Sequence, residues 1–139
     1  PYRESDTSTW YGNQKTMLDA SLHGHWKELF DSVFDLAGPN FLLQRYALTG
    51  QTQGQEQEFH GDTSAERPGN YVSYLMYLNT EWNPLWGGPT EFYKDGVIKK
   101  IFPEPGKLVM FDSKAQHRGA GPTVPNKLRF SIVLHGQVL

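Results

Sequence analysis

Tyr71-Val72-Ser73-Tyr74-Leu75-Met76-Tyr77-Leu78-Asn79 is the stretch that sets the fold class. Aromatic and branched side chains crowd it, which makes it the clearest strand in the chain. On its N-terminal side, residues 63–70 are loop by composition, and Thr49 to Gln57 form a second loop rich in Gln and Gly. Between those loops lies Glu58-Phe59-His60-Gly61-Asp62, read as strand. Further back, Phe41 to Leu48 is a short apolar run of the buried-strand kind. Ahead of Pro39 the period changes. Met17, Leu18, Leu22, Trp26, Leu29, Phe30, Val33 and Phe34 recur at helical spacing. They predict one long amphipathic helix or two shorter ones from about Asn13 to Ala37, stopped by Gly38-Pro39. Residues 1–13 are polar and read as an irregular leading segment.

On the C-terminal side, Trp82 to Pro89 is a loop carrying two tryptophans. Thr90 to Tyr93 and Val97 to Phe102 flank Lys94-Asp95-Gly96, a strong hairpin signal. After the turn at Pro103-Glu104-Pro105-Gly106 come strands at Lys107 to Phe111 and Ala115 to Ala120, then a turn ending at Asn126. Leu128 to Leu134 is the last strand. One helical segment followed by about eight short strands predicts a mainly β (α+β) barrel or jelly roll with the helical part packed outside. No repeat or linker divides the chain, so residues 1–139 are expected to form one domain, with 1–37 as lead and helical support and 39–139 as the β core.

Composition removes whole classes of function. There is no cysteine, hence no disulfide, thiolate nucleophile or zinc–cysteine site. A formal charge of −2 supplies no basic footprint for nucleic acid. No apolar run reaches membrane-spanning length, and Pro1-Tyr2-Arg3-Glu4-Ser5 does not look like a signal peptide. The expectation is a cytoplasmic protein without membrane or nucleic-acid partners.

The chemistry starts from His60 and Asp62. On a strand, the period of two puts both side chains on one face with Gly61 turned away. An imidazole beside a carboxylate supplies two ligands of the 2-His-1-carboxylate facial triad, a non-heme Fe(II) site with open positions. His117 is the best candidate for the third ligand. Two neutral imidazoles and one carboxylate would leave such a site at a net charge of about +1, which suits a further anionic chelator. In the last strand Arg129 and Ser131 share one face, and Leu128, Phe130, Ile132 and Leu134 the other. An arginine inside a small barrel makes sense if its planar fork receives a carboxylate, with Ser131 and the mid-strand hydroxyl of Tyr77 beside it. The same strand is equally compatible with Arg129 in solvent and the apolar face in the core.

In the order His60-x-Asp62, His117, Arg129-x-Ser131, the sequence resembles the Fe(II)/2-oxoglutarate-dependent dioxygenases, within them the prolyl-hydroxylase-like branch. Supporting segments are Leu43-Gln44-Arg45-Tyr46 with Gly50-Gln51, Met76-Tyr77-Leu78-Asn79 with Trp82, Gly87-Gly88-x-Thr90-x-Phe92, and Pro105-Gly106-Lys107-Leu108-Val109-Met110-Phe111. The resemblance implies a double-stranded β-helix in which His60, Asp62 and His117 hold iron and Arg129 anchors the distal carboxylate of 2-oxoglutarate. It offers Tyr77, Ser131 and Tyr46 as partners of that carboxylate and Lys127 as the rival anchor. It implies Fe(II), 2-oxoglutarate and O2, with ascorbate as a possible auxiliary. The reaction it implies is oxidative decarboxylation to succinate and CO2 coupled to hydroxylation of an aliphatic C–H. A prolyl residue in a peptide is the leading substrate, and free amino acids or other small metabolites stand as alternatives. Trp82, Trp86 and Arg67 are candidates for a substrate lid, with burial against the barrel rim as the competing reading. Arg118 would bind a substrate carboxylate or pair with an acid. Two other classes compete: a cupin-like metal isomerase or lyase, and a non-catalytic jelly-roll binding module.

Overall fold

The computed structural model describes residues 8–13 and 25–139. There the chain runs β1 (Ser8–Asn13), α1 (His25–Ala37), β2 (Phe41–Gln51), β3 (Asn70–Tyr77), a 3-10 turn at Pro84–Trp86, β4 (Thr90–Lys94), β5 (Val97–Ile101), β6 (Leu108–Asp112), β7 (Gln116–Gly119) and β8 (Arg129–Val138). The strands form a five-stranded sheet in the order β1-β2-β8-β3-β6 and a three-stranded sheet in the order β5-β4-β7. Every pairing is antiparallel. This is the jelly roll expected from the sequence, with a helix outside it.

α1 explains the outer face of the larger sheet. Phe30 and Val33, three apart on the helix, pack with Leu43 and Tyr46 of β2, Tyr74 of β3, and Ile132 and Leu134 of β8 in the hydrophobic core. Phe30 meets the Tyr46 ring at 5.9 Å, and Phe41 meets Tyr74 edge-on at 5.2 Å. The opposite parity of the same strands turns toward the smaller sheet: Gln51 and Thr49 on β2, Arg129, Ser131 and His135 on β8, Ser73 and Tyr77 on β3. Nearly all of these are buried, although most are polar. One side of the sheet is an oily core and the other a polar chamber.

Two expectations change, and a third lies partly outside the described residues. Residues 8–13 pair as an edge strand against β2, Ser8 opposite Gly50 through Asn13 opposite Arg45; a strand paired across more than thirty residues leaves no local polarity signal. The helix begins at His25 among the described residues, and Met17, Leu18 and Leu22 lie outside them. His60 to Asp62 is not a strand. His60 makes a single bridge with His117, and Asp62 is already in irregular backbone. Gln57 N–H donates to Gly119 O at 3.1 Å, and His60 and His117 exchange two backbone hydrogen bonds at 2.9 Å. Residues 57–60 thus occupy the fourth position of the smaller sheet, beside β7, as a broken strand. No helix in the described residues is long and apolar enough to cross a membrane.

Candidate metal and carboxylate site

The broken strand brings the triad together. One ligand atom from each of His60, Asp62 and His117 lies within 4.8 Å of the others. Asp62 Oδ1 is 3.8 Å from His60 Nε2 and 3.7 Å from His117 Nε2. Two ligands about 2.1 Å from one ion stand at most about 4.2 Å apart, so one cation can bridge the carboxylate and each imidazole. The imidazoles are oriented for this. Nδ1 of His60 lies 2.8 Å from Glu58 O, and Nδ1 of His117 lies 2.9 Å from Ala115 O. A carbonyl only accepts, so each Nδ1 carries the proton and each Nε2 presents its lone pair. Burial pushes the His117 pKa down, opposed by the Asp62 carboxylate, and favours a neutral ligand. Phe111 and Phe92 pack against the His117 ring at 4.7 and 5.8 Å. His60 keeps 41% of its side chain exposed, so the triad opens to solvent on that side. Two imidazoles, one carboxylate and an open side fit a divalent iron.

Asp62 is fixed from several directions. Its Oδ2 accepts from Ser73 Oγ at 2.6 Å, and its backbone carbonyl accepts from Arg45 Nη2 at 2.9 Å. Thr63 N–H donates to Ser113 O at 3.1 Å, holding the next residue in the chain.

Arg129 belongs to β8, on the larger sheet that faces His60 and His117 across the chamber, and is 1% exposed. Its Nε donates to Gly88 O at 2.8 Å and its Nη2 to Thr90 Oγ1 at 2.8 Å. Its Nη1 donates to Gln51 Oε1 at 2.8 Å and to Ser131 Oγ at 3.3 Å. Tyr77 Oη donates to Ile101 O at 3.0 Å, so across their 2.7 Å contact the Thr90 hydroxyl donates to Tyr77. The Tyr77 ring lies 5.3 Å from the guanidinium carbon. Burial pushes the arginine pKa down, opposed by Tyr77. All four hydrogen-bond acceptors are neutral, and no carboxylate among the described residues stands at ion-pair distance from this guanidinium. A buried cation without an internal counter-ion calls for an anion from outside. Thr90 and Phe92 share one face of β4, two residues apart, so the arginine end and the imidazole end are about 7 Å apart along that strand.

The other expected residues fall elsewhere. Tyr46 is in the helix-covered core with Phe30, on the face of β2 away from Arg129, and it does not join the chamber. Lys127 precedes β8, and its ammonium sits 3.8 Å over the Trp86 ring, so Arg129 and not Lys127 occupies the chamber. Trp82 donates from Nε1 to Gly87 O and meets Trp86 edge-on at 5.5 Å. With Thr123 N–H donating to Trp86 O, the tryptophan loop is tied to the turn before β8. Arg67 stacks on Tyr71 and donates to Gln44. Arg118 pairs with Glu91 at 2.7 Å and Glu56 at 3.7 Å and covers Phe59. Burial pushes the Glu91 carboxyl up, but hydrogen bonds from Arg118 and Lys100 outweigh it and hold its pKa below the usual range. Gln51, Gly88, Thr90, Ser73, Ser113 and His135 contribute to the two ends without having been singled out from sequence. Gly88 and Thr90 belong to the quoted Gly87-Gly88-x-Thr90-x-Phe92 motif, Gln51 to the quoted Gly50-Gln51 segment, and Ser73 is the polar residue inside the apolar β3 run.

Comparison with known proteins accords with this geometry. The chain covers 96% of itself and 72% of a prolyl-4-hydroxylase from Pseudomonas putida, at 18% identity and a TM-score of 0.62. Against a Trichoplax adhaerens prolyl hydroxylase, solved with a hypoxia inducible factor oxygen degradation domain peptide fragment, the figures are 98% and 64%, 21% and 0.67. A prolyl 4-hydroxylase from Phytophthora capsici matches at 19% identity and a TM-score of 0.61, over 94% of this chain and 48% of that one. These likenesses establish the fold, and this chain spans between about half and three quarters of those proteins. No curated protein matches the sequence. The model of the 2OG-Fe(II) oxygenase superfamily matches residues 41–135, the whole span from the first core strand to the end of the chamber wall. The chain belongs to the 2OG-Fe(II) oxygenase superfamily.

Proposed function

We propose that this chain is an Fe(II)- and 2-oxoglutarate-dependent dioxygenase that hydroxylates an aliphatic C–H, with a prolyl residue in a peptide as the leading substrate. The carrying observation is Arg129, a buried guanidinium bonded only to neutral acceptors in the chamber that also holds the triad. His60, Asp62 and His117 would hold the iron, and Arg129 with the Ser131 hydroxyl would receive the distal carboxylate of 2-oxoglutarate, joined by Tyr77 once its O–H turns from Ile101 O. Bound Fe(II) with its co-substrate supplies the oxidising chemistry: 2-oxoglutarate, O2 and R–H become succinate, CO2 and R–OH. The chain's own residues position the reactants. Arg129 fixes the co-substrate's far end, the two Nδ1 hydrogen bonds keep both imidazoles aimed inward, and Phe92 and Phe111 keep water from the His117 side. The exposed flank of His60 is the open side from which substrate would approach.

The prolyl assignment is supported by the kind of neighbours the fold has, one of them solved with a peptide fragment. The test is succinate formation from 2-oxoglutarate with Fe(II) and ascorbate, by wild type and Asp62→Ala, alone and with proline-containing peptides or free amino acids. The expected result is metal-dependent succinate that the variant abolishes and a peptide stimulates. Stimulation by a free amino acid alone would move the substrate to a small metabolite. If no addition gives succinate and 2-oxoglutarate does not bind the metal-loaded protein, the reading fails.

A further inference from the structure

Behind Asp62, on the side away from the imidazoles, runs a chain of buried polar side chains that holding the metal does not by itself require. Ser73 Oγ lies 2.6 Å from Asp62 Oδ2, and Ser113 Oγ 2.8 Å from Ser73 Oγ. His135 Nδ1 lies 2.9 Å from Ser113 Oγ, and Thr63 Oγ1 2.9 Å from His135 Nε2. Thr63 follows Asp62 in sequence, so the chain leaves the carboxylate, crosses β3, the β6–β7 turn and β8, and returns one residue along. Ser73 and Ser113 are fully buried, and His135 and Thr63 nearly so.

The proton on each link follows from one end. A carboxylate only accepts, so Ser73 spends its single O–H on Asp62. Ser73 Oγ must then accept from Ser113, whose own oxygen accepts from His135 Nδ1–H. With Nδ1 protonated, a neutral His135 presents a lone pair at Nε2, and the Thr63 hydroxyl donates to it. Burial pushes the His135 pKa down to about 4, which agrees with the neutral ring. All four donors thus point the same way, and hydrogen bonds aligned head to tail in a dry interior strengthen one another.

We infer that Ser113 and His135 align Ser73 in a positioning relay that holds Asp62 Oδ2 in its hydrogen bond from Ser73, so that Oδ1, which faces both imidazoles, is left for the metal. The consequence is a one-oxygen carboxylate ligand. An Asp62 free to turn could present both oxygens to the cation and occupy a position that co-substrate or oxygen needs. This inference rests on the metal-site reading of the triad and goes beyond it by assigning residues that touch neither metal nor substrate.

The test uses Co(II) as the probe, because both its affinity and its visible bands report coordination. The metal-free wild type, Ser73→Ala, Ser113→Ala, His135→Leu and His135→Asn are titrated well below their unfolding temperatures. Ser73→Ala is expected to bind Co(II) about 10- to 100-fold more weakly, with altered bands. Ser113→Ala and His135→Leu should move in the same direction by less. His135→Asn keeps an amide donor where Nδ1 stands and should stay within a few-fold of wild type. Should Ser73→Ala fold poorly, Ser113→Ala, which touches no ligand, reports on the same relay. Variants that lose thermal stability but keep wild-type affinity and spectrum would overturn the relay while leaving the metal site standing. A wild type that binds no Co(II) would overturn both.

Discussion

Removing Arg129 acts on both folding and binding. In Arg129→Ala, the acceptors Gly88 O, Gln51 Oε1 and Thr90 Oγ1 lose their donor, and the proposed carboxylate loses its cation. A hydrogen bond to a charged group contributes about 1.5–3 kcal/mol, so 2-oxoglutarate affinity should fall roughly 10- to 150-fold, read by calorimetric titration of the Mn(II)-loaded protein. His135 makes a pH prediction. Its folded pKa of about 4 lies below the usual 6.5, pushed there first by burial, then by the nearby Arg45 and Arg67, with Asp62 opposing. Between those values the unfolded chain binds the extra proton, so stability falls as pH drops from about 6.5 toward 4 and is unaffected by this group above 6.5. The full effect is on the order of 3 kcal/mol. Urea unfolding of the metal-free protein at pH 7 and pH 4.5 should show the loss, and His135→Asn should shrink it. These residues were not equally legible. Arg129 stood out as a charge on an apolar strand, whereas His135 looked like any histidine near a chain's end.

At the scale of elements, β8 and its neighbours fix which face each residue shows. Gly136 on β8 lies opposite Leu43, beside the irregularity in β2 between Leu43 and Arg45. A Cβ there would stand 2.4 Å from Leu42 O and 2.6 Å from the Phe41 ring. Backbone on one side and a packed ring on the other leave no room to yield. Gly136→Ala should therefore destabilise the fold by about 2–3 kcal/mol, in the range of overpacked sites, measured by denaturant unfolding. Gly88 is constrained differently. Its φ is 71°, and a Cβ there would lie 3.0 Å from Trp82 Cζ2 and 3.4 Å from Arg129 Cδ. Counting back from Gln51 and Thr49 in the chamber, plain alternation puts Tyr46, opposite Leu134, on the core face. The local irregularity at Leu43/Arg45 shifts that alternation, so that Leu43, three residues before Tyr46, faces α1 as well.

For the whole molecule, the two sheets and the broken strand at residues 57–60 make a scaffold in which ligand and fold are coupled. A ligand that binds only the folded chain adds about 2.7 kcal/mol at 100 times its dissociation constant. Mn(II) with 2-oxoglutarate at such concentrations should raise the midpoint of thermal unfolding by about 8–10 °C for a chain of this length. Asp62→Ala should show no such shift. The measurement is differential scanning fluorimetry with and without each component, and a rise that needs both metal and co-substrate would support joint occupancy of the two ends.

The sequence by itself determined what is local. Strand and turn composition, the helix stop at Gly38-Pro39 and the Asp95-Gly96 hairpin are written in neighbouring residues, and so is the ordered set His60, Asp62, His117, Arg129. Only the tertiary structure decided how these meet. β8 is buried on both faces, Ile132 and Leu134 under α1 and Arg129 and Ser131 in the chamber, so alternation along the strand could not tell inside from outside. The pairing of residues 57–60 with β7, of β1 with β2, and the Asp62–Ser73–Ser113–His135–Thr63 chain all join segments far apart in sequence. Such contacts are chosen by closure of the whole sheet pair and by the need to satisfy every buried polar group, neither of which any single stretch of residues contains.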